Sequence, residues 1–344
     1  MIPQTNIKTF FTLLFLLNSL FLFSQQSKKY FQQEVNYNIK VELDDKKHEL
    51  FAFETIEYIN NSEQTLTFIY FHLWPNAYKD YNSALGKQQL EDHNTLLYYA
   101  SENIKGYIDS LDFKIDGARA NWSLDSTHKD ICKLYLNTPL KPGEKINIST
   151  PFHVKLPLGI FSRMGHIEQS YQATQWYPKP AVFDKDGWHQ MPYLDQGEFY
   201  SEYGTFDVFI TLPKNYVVGA TGDLINGEKE LSWLNKKAEF TSKIENFDIN
   251  NMDFPISSDT LKTLHYNQKN IHDFAWFADK RYHVLKGEIT LPESKRKVTT
   301  WAMFTNNEAD LWKKSIEYLN DATYYYSLWN GDYPYNQITA VDGA

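Results

Sequence analysis

Between residues 35 and 43 an apolar side chain stands at every second position: Val35, Tyr37, Ile39, Val41 and Leu43. A segment with period two can bury one face only as a β-strand, because successive strand side chains point to opposite faces. Asp44-Asp45-Lys46-Lys47 then reads as a charged hairpin turn. A second strand is predicted from 50 to 59 and a third from 66 to 73. Three such units in succession read as an antiparallel meander. Alternation restarts at Ile146 and Ile148, after the turn Lys141-Pro142-Gly143-Glu144, and again over 206–212 and 217–220. Aromatic residues make up 16% of the chain, and such side chains suit a pleated, half-buried surface. The predicted class is mainly β.

Two stretches break the pattern. Residues 78–105 are polar, rich in Asn, Gln and Tyr, and lack a period; a long excursion or a pair of short helices is expected. Near the other end, Asn306-Asn307 can cap a helix, with Glu308 and Asp310 in the first turn, where the helix dipole favours negative charge. Trp312, Ile316, Leu319, Thr323 and Tyr326 recur at spacings of four and three, which predicts one apolar stripe. Asn330-Gly331 stops the helix, and Gln337–Val341 reads as a further strand. A strong helix after a long run of strands predicts the start of a second domain. Asp342-Gly343-Ala344 ends the chain in mid-element, so a truncated second domain is expected.

At the N-terminus, Lys8 precedes an apolar run from Phe10 to Phe23, followed by Ser24. This predicts a secretory signal peptide over residues 1–24 and an exported protein with no membrane span after cleavage. The run is shorter than the about 20 apolar residues that a spanning helix needs. Cys132 is the sole cysteine, so a large core rather than an internal disulfide must carry stability. The formal net charge of −9 argues against nucleic acid as a partner.

The motifs of common active sites are absent. A zinc helix needs two His one turn apart with a Glu beside the first. His48-Glu49 is the sole His-Glu pair, and Ala52 stands where the second His belongs. Ser162 lies between Gly159 and Gly165 at the wrong spacing for a nucleophile elbow. Asp184-Lys185-Asp186-Gly187 has its Gly too early for a calcium loop and reads as an ordinary turn. Cys132 reads as a small buried residue, and His166 and His189 as structural. No catalytic residue and no metal ligand is assigned. The densest unusual stretch runs from Gln172 to Phe183 and on to Gly187-Trp188-His189. It reads equally as a rigid aromatic loop lining a cleft or as a buried corner of a sheet. Gln175 carries both donors and an acceptor, so it can read an amine or a peptide carbonyl.

Four passages resemble the N-terminal portion of the aminopeptidase N family of zinc metallopeptidases, in the gluzincin clan, and most closely its secreted members from Bacteroidetes-type bacteria. They are Phe71-His72-Leu73-Trp74-Pro75-Asn76-Ala77-Tyr78, then Thr174-Gln175-Trp176-Tyr177-Pro178-Lys179-Pro180-Ala181-Val182-Phe183-Asp184 with Gly187-Trp188-His189. The others are Ile271-His272-Asp273-Phe274-Ala275-Trp276-Phe277-Ala278 and Tyr333-Pro334-Tyr335. The resemblance implies a saddle-shaped antiparallel β domain over 25–285, then the truncated start of an α+β thermolysin-like domain over 286–344. It implies a peptide substrate and Zn²⁺ in the full-length protein, with every zinc ligand and the catalytic Glu beyond Ala344. This segment alone is expected to bind no metal and to be inactive. In the family a Gln, and an acidic or amide residue two positions later, hold the N-terminal region of the peptide. Gln175 and Tyr177 stand at those positions. Tyr177 departs from the pattern and offers no carboxylate to an α-amine. The alternatives are a non-catalytic peptide- or protein-binding scaffold of the same fold and an unrelated glycan-binding sandwich.

Overall fold

A computed structural model describes residues 30–197 and 199–343; the expected signal peptide lies outside the described residues. The alternating segments form a nine-stranded sheet. Its centre is the hairpin Glu34–Asp44 and Glu49–Ile59, paired from Glu34↔Ile59 to Asp44↔Glu49. Val35, Tyr37, Ile39, Val41 and Leu43 are all buried, as their spacing requires. Lys145–Lys155 pairs with the far side of Glu49–Ile59. On the near side, Gly204–Pro213 pairs with Glu34–Asp44. That pair is parallel, whereas the neighbouring pairs within this sheet are antiparallel.

The third predicted strand is real, spanning Leu66–His72, but it leaves the meander. It enters a separate four-stranded sheet with Ile131–Leu140, Trp122–Leu124 and Lys179–Pro180. Asn60 drives this turn-off. Its buried side chain donates to the Gln64 and Leu140 carbonyls at 2.8 and 3.0 Å and accepts from the Ser62 hydroxyl at 2.6 Å. A side chain that satisfies backbone groups in this way replaces a tight hairpin by a corner. The polar stretch after it contains the helices Ala84–Glu91 and Leu96–Tyr99. Ser83 caps the first, its Oγ accepting from the Gly86 N–H at 3.0 Å.

A third sheet joins Gly165–Ile167, Ser170–Ala173, Trp276–Asp279 and Val217–Ala220. Most of the buried apolar residues of these sheets form one core cluster. A second cluster holds Val217, Leu234, Ala238, Tyr282, Val284, Trp301 and Met303. It joins the helix Glu228–Thr241 to a smaller sheet of His283–Thr290, Lys297–Phe304 and Gln337–Val341. The last two of these strands are parallel, and the helix Ser315–Asn330 makes the crossover that such a pair needs. The architecture is mainly β, with an α+β unit following the β domain.

The C-terminal helix differs from its expected form. A 3₁₀ turn at Asn306–Glu308 and a short helix Ala309–Trp312 precede it. Tyr326, expected in the buried stripe, is 67% exposed. Ile316 and Thr323 of the expected stripe do face inward, joined by Asn320 and Ser327, and Thr323 and Ser327 are the buried residues of the helix. Helix and sheet approach closely at Gly287. A Cβ at Gly287 would collide with Ile316 Cγ2 and stand 2.8 Å from Thr300 Oγ1. Thr300 Oγ1 donates to Asn320 Oδ1 at 2.9 Å across the same contact. Gly287→Ala should therefore push helix from sheet and cost about 1–3 kcal/mol. Chemical denaturation checks this; an unchanged midpoint would refute the close-contact account.

Candidate functional site

The Ser170–Ala173 strand, held between Gly165–Ile167 and Trp276–Asp279, delivers the chain into the aromatic segment. Trp176 follows and is fully buried. Its indole N–H donates to the Phe274 carbonyl at 3.1 Å, and its ring meets Trp276 edge-on at 6.2 Å. The segment is thus a buried corner at Trp176. It differs one residue earlier. Gln175 keeps 9% of its surface exposed, its Oε1 accepts from the Thr174 hydroxyl at 2.8 Å, and its amide nitrogen has no hydrogen bond among the described residues.

Tyr177 lies inside. It is 2% exposed, and its hydroxyl donates to Asp273 Oδ1 at 2.8 Å. The same carboxylate oxygen takes the Lys179 ammonium at 2.8 Å, and Asp273 Oδ1 also accepts from the Phe274 N–H. Lys179 is 2% exposed; its ammonium also reaches the Ser201 hydroxyl at 3.3 Å and sits over the rings of Trp74 and Tyr177. Burial lowers the Lys179 pKa, and Asp273 opposes that by stabilising the charged form. Burial, and then the Asp273 charge, raise the Tyr177 pKa well above the ordinary phenol. Nearby, His72 stacks on Trp74 at 4.4 Å. Burial, and then the Lys179 ammonium, hold its pKa down to about 3, so the imidazole is neutral. The structure gives Gln175 and Tyr177 different surroundings: one amide with a free donor, one phenol spent on an internal ion pair. Sequence reasoning did not single out Lys179 or Asp273 as a pair.

Gln172 was not singled out either. It is 5% exposed, and its Nε2 has no hydrogen-bond partner among the described residues. Its Oε1 lies 3.2 Å from where a Cβ on Gly343 would stand, and its Nε2 3.2 Å from the same point on Gly159. The amide is thus wedged beside two glycine backbones. Gly343 and Asp342 in turn line a cleft of about 560 Å³ with Glu168, Ser170, Phe254 and Arg281. Asp342 is fixed by the Thr305 hydroxyl at 2.7 Å, and Arg281 by Asp279 at 2.6 Å. Among the described residues no three His, Cys, Asp or Glu side chains gather into a metal site. The residues present do not make a zinc centre. Their amides and carboxylates can bind and orient a polar chain.

No family model matches the sequence, and no curated protein matches it. Solved structures do match. A variant of an M1 zinc metallopeptidase from Deinococcus radiodurans aligns with 90% of this chain and 56% of its own, at 13% identity and a TM-score of 0.53. The chain has the M1 zinc metallopeptidase fold. A variant of the D. radiodurans enzyme bound to a Tyr-Ser-Ala substrate aligns over the same shares at 12% identity and a TM-score of 0.51. A two-domain M1 variant bound to L-arginine gives 13% and 0.50, again over 90% and 56%. The chain therefore spans 56% of the length of the M1 structures it matches.

Proposed function

We propose that the protein is an exported, zinc-dependent, aminopeptidase-like peptidase, and that this chain is its substrate-positioning part. The observation that carries the reading is the fold likeness over 90% of the chain. On this reading the zinc ligands and the catalytic Glu are supplied by residues outside those described. Residues 1–24 serve as the leader, 25–285 as the β domain and 286–344 as the start of the catalytic domain. The substrate is a peptide, and nucleic acid is not a partner. No helix among the described residues is long and apolar enough to cross a membrane.

Within this reading Gln175 contacts the peptide through its free amide N–H groups. Tyr177 serves the same segment from beneath, anchoring it to Asp273. The contribution is one of alignment rather than bond breaking. In the full-length protein, Gln175→Ala should lower kcat/KM for short peptides about tenfold, the loss of one to two hydrogen bonds. Hydrolysis of peptide amides by the full-length protein, abolished by a chelator and restored by Zn²⁺, tests the reading. No zinc-dependent turnover would turn it toward a binding scaffold of the same fold.

A further inference from the structure

The Leu261–Ile271 strand has unequal neighbours. On one side Gly204–Pro213 pairs with it from Gly204↔Ile271 to Pro213↔Leu261. On the other, Asp223–Ile225 reaches only His265, Tyr266 and Asn267. Residues 261–264 thus have a strand partner on one side alone. Their other edge borders a groove of about 590 Å³. The chain leaves Asp223–Ile225 and turns at once into the helix Glu228–Thr241, whose first turns form the opposite wall.

The charges of this groove are one-sided. Lys214, Lys229 and Lys262 line it against a single acid, Glu230. Lys262 is spent: it meets Glu230 at 2.6 Å and donates to the Tyr216 carbonyl at 2.6 Å. His265 is likewise held by Asp207 at 2.6 Å. The ammonium groups of Lys214 and Lys229 are exposed and make no hydrogen bond or ion pair among the described residues. Two uncompensated cations therefore face an open strand edge, in a chain whose net charge is −9.

We propose that this groove binds an acidic peptide segment in extended form, added as a strand along residues 261–264. The open edge supplies main-chain hydrogen bonds, and the lysines supply selection for carboxylates. A glycan fits less well. Its usual platform would be Trp233, but the Lys262 and Lys237 ammonium groups already stand 4.4 and 5.2 Å from that ring. Edge lysines also deter unwanted strand pairing, but that role needs no walled groove beside the edge. The site is separate from the Gln175 segment, and the proposal does not depend on peptidase activity.

The test uses the full-length protein and a fluorescein-labelled, end-blocked hexapeptide that alternates Glu and Val. A Lys-Val peptide is the control. Anisotropy should show saturable binding of the acidic peptide only. Affinity should fall about tenfold or more when ionic strength rises from 0.05 to about 0.5 M, as screening demands. The double variant Lys214→Glu/Lys229→Glu should lose about tenfold or more, and Lys214→Gln/Lys229→Gln should lose less. Neither lysine has a partner to forfeit, and thermal unfolding confirms the fold of each variant. Should the Glu pair fail to fold, the Gln pair alone decides. Amide exchange at 261–264 should slow when the acidic peptide is bound. Equal binding of the Lys-Val peptide, an unaffected variant, unchanged exchange at 261–264, or no binding at millimolar peptide would each overturn the proposal. So would binding of a sulfated glycan in place of the peptide.

Discussion

Replacing Lys179 by methionine should destabilise the protein by about 1–3 kcal/mol. The substitution keeps the length of the stem and removes the charge. Asp273 would then stand beside a buried phenol and a main-chain N–H with no cation, since Lys179 is its ion-pair partner at 2.8 Å. Breaking the pair leaves the other charge uncompensated, and the 22% exposure of the Asp273 side chain keeps the effect below that of a fully buried pair. The fully buried Trp176 and the 2%-exposed Tyr177 lie next to the pair, so the corner that carries Gln175 should loosen with it. Asp273→Asn should cost more than Lys179→Met, because it strands the Lys179 ammonium, which is 2% exposed, even though the amide still accepts from Tyr177. The double variant Lys179→Met/Asp273→Asn should cost less than the sum of the two single changes. Urea unfolding of the four proteins provides the cycle. A loss below about 1 kcal/mol for Lys179→Met would mean that the pair is solvated and the corner is held by its rings alone.

Much of the β architecture could be read from the sequence, because period-two burial is a local property. Val35 to Leu43 needs no knowledge of its neighbours to declare one face buried. The route of the chain was less accessible. That 66–72 leaves the first sheet depends on Asn60 reaching the Leu140 carbonyl, 80 residues away. The inward face of the C-terminal helix was legible in part: Ile316 and Thr323 face inward as their spacing requires, but Tyr326 is 67% exposed and Ser327 is buried beside it. The helix Glu228–Thr241 was missed, although Leu231, Leu234, Ala238 and Thr241 recur at spacings of three and four; its exposed Leu231 and many charges blur the stripe. At the candidate site the aromatic segment was visible as a composition, and Gln175 through a resemblance. The ion pair beneath it was not, since Asp273 joins Tyr177 across 96 residues.

A second large effect should come with the opposite sign, from Glu54. This residue sits in the middle of the Glu49–Ile59 strand, opposite Ile39 and Thr150, and is fully buried. Neither carboxyl oxygen has a hydrogen-bond partner among the described residues. Burial alone raises its pKa well above the ordinary carboxyl range. Glu54→Met should stabilise the protein by about 1–3 kcal/mol, the cost of leaving a buried polar group unsatisfied. The gain should depend on pH. A carboxyl whose folded pKa is raised binds more protons folded than unfolded, so its contribution is present below about pH 4.3 and is lost as pH rises through its folded value. The advantage of Glu54→Met over the parent should therefore grow from pH 5 upward. Glu202 acts in the same sense: burial, opposed by backbone N–H groups, raises its pKa to about 8. His72 and His166, lowered by burial to about 3 and about 4, act the other way, but only below the ordinary histidine pKa of about 6.5. Urea midpoints of parent and variant at pH 5, 6.5 and 8 isolate the Glu54 contribution, because every other titrating group is common to both. A variant less stable than the parent at pH 8 would show that the carboxylate is satisfied in solution, and the account of Glu54 as an unpaired buried acid would fail.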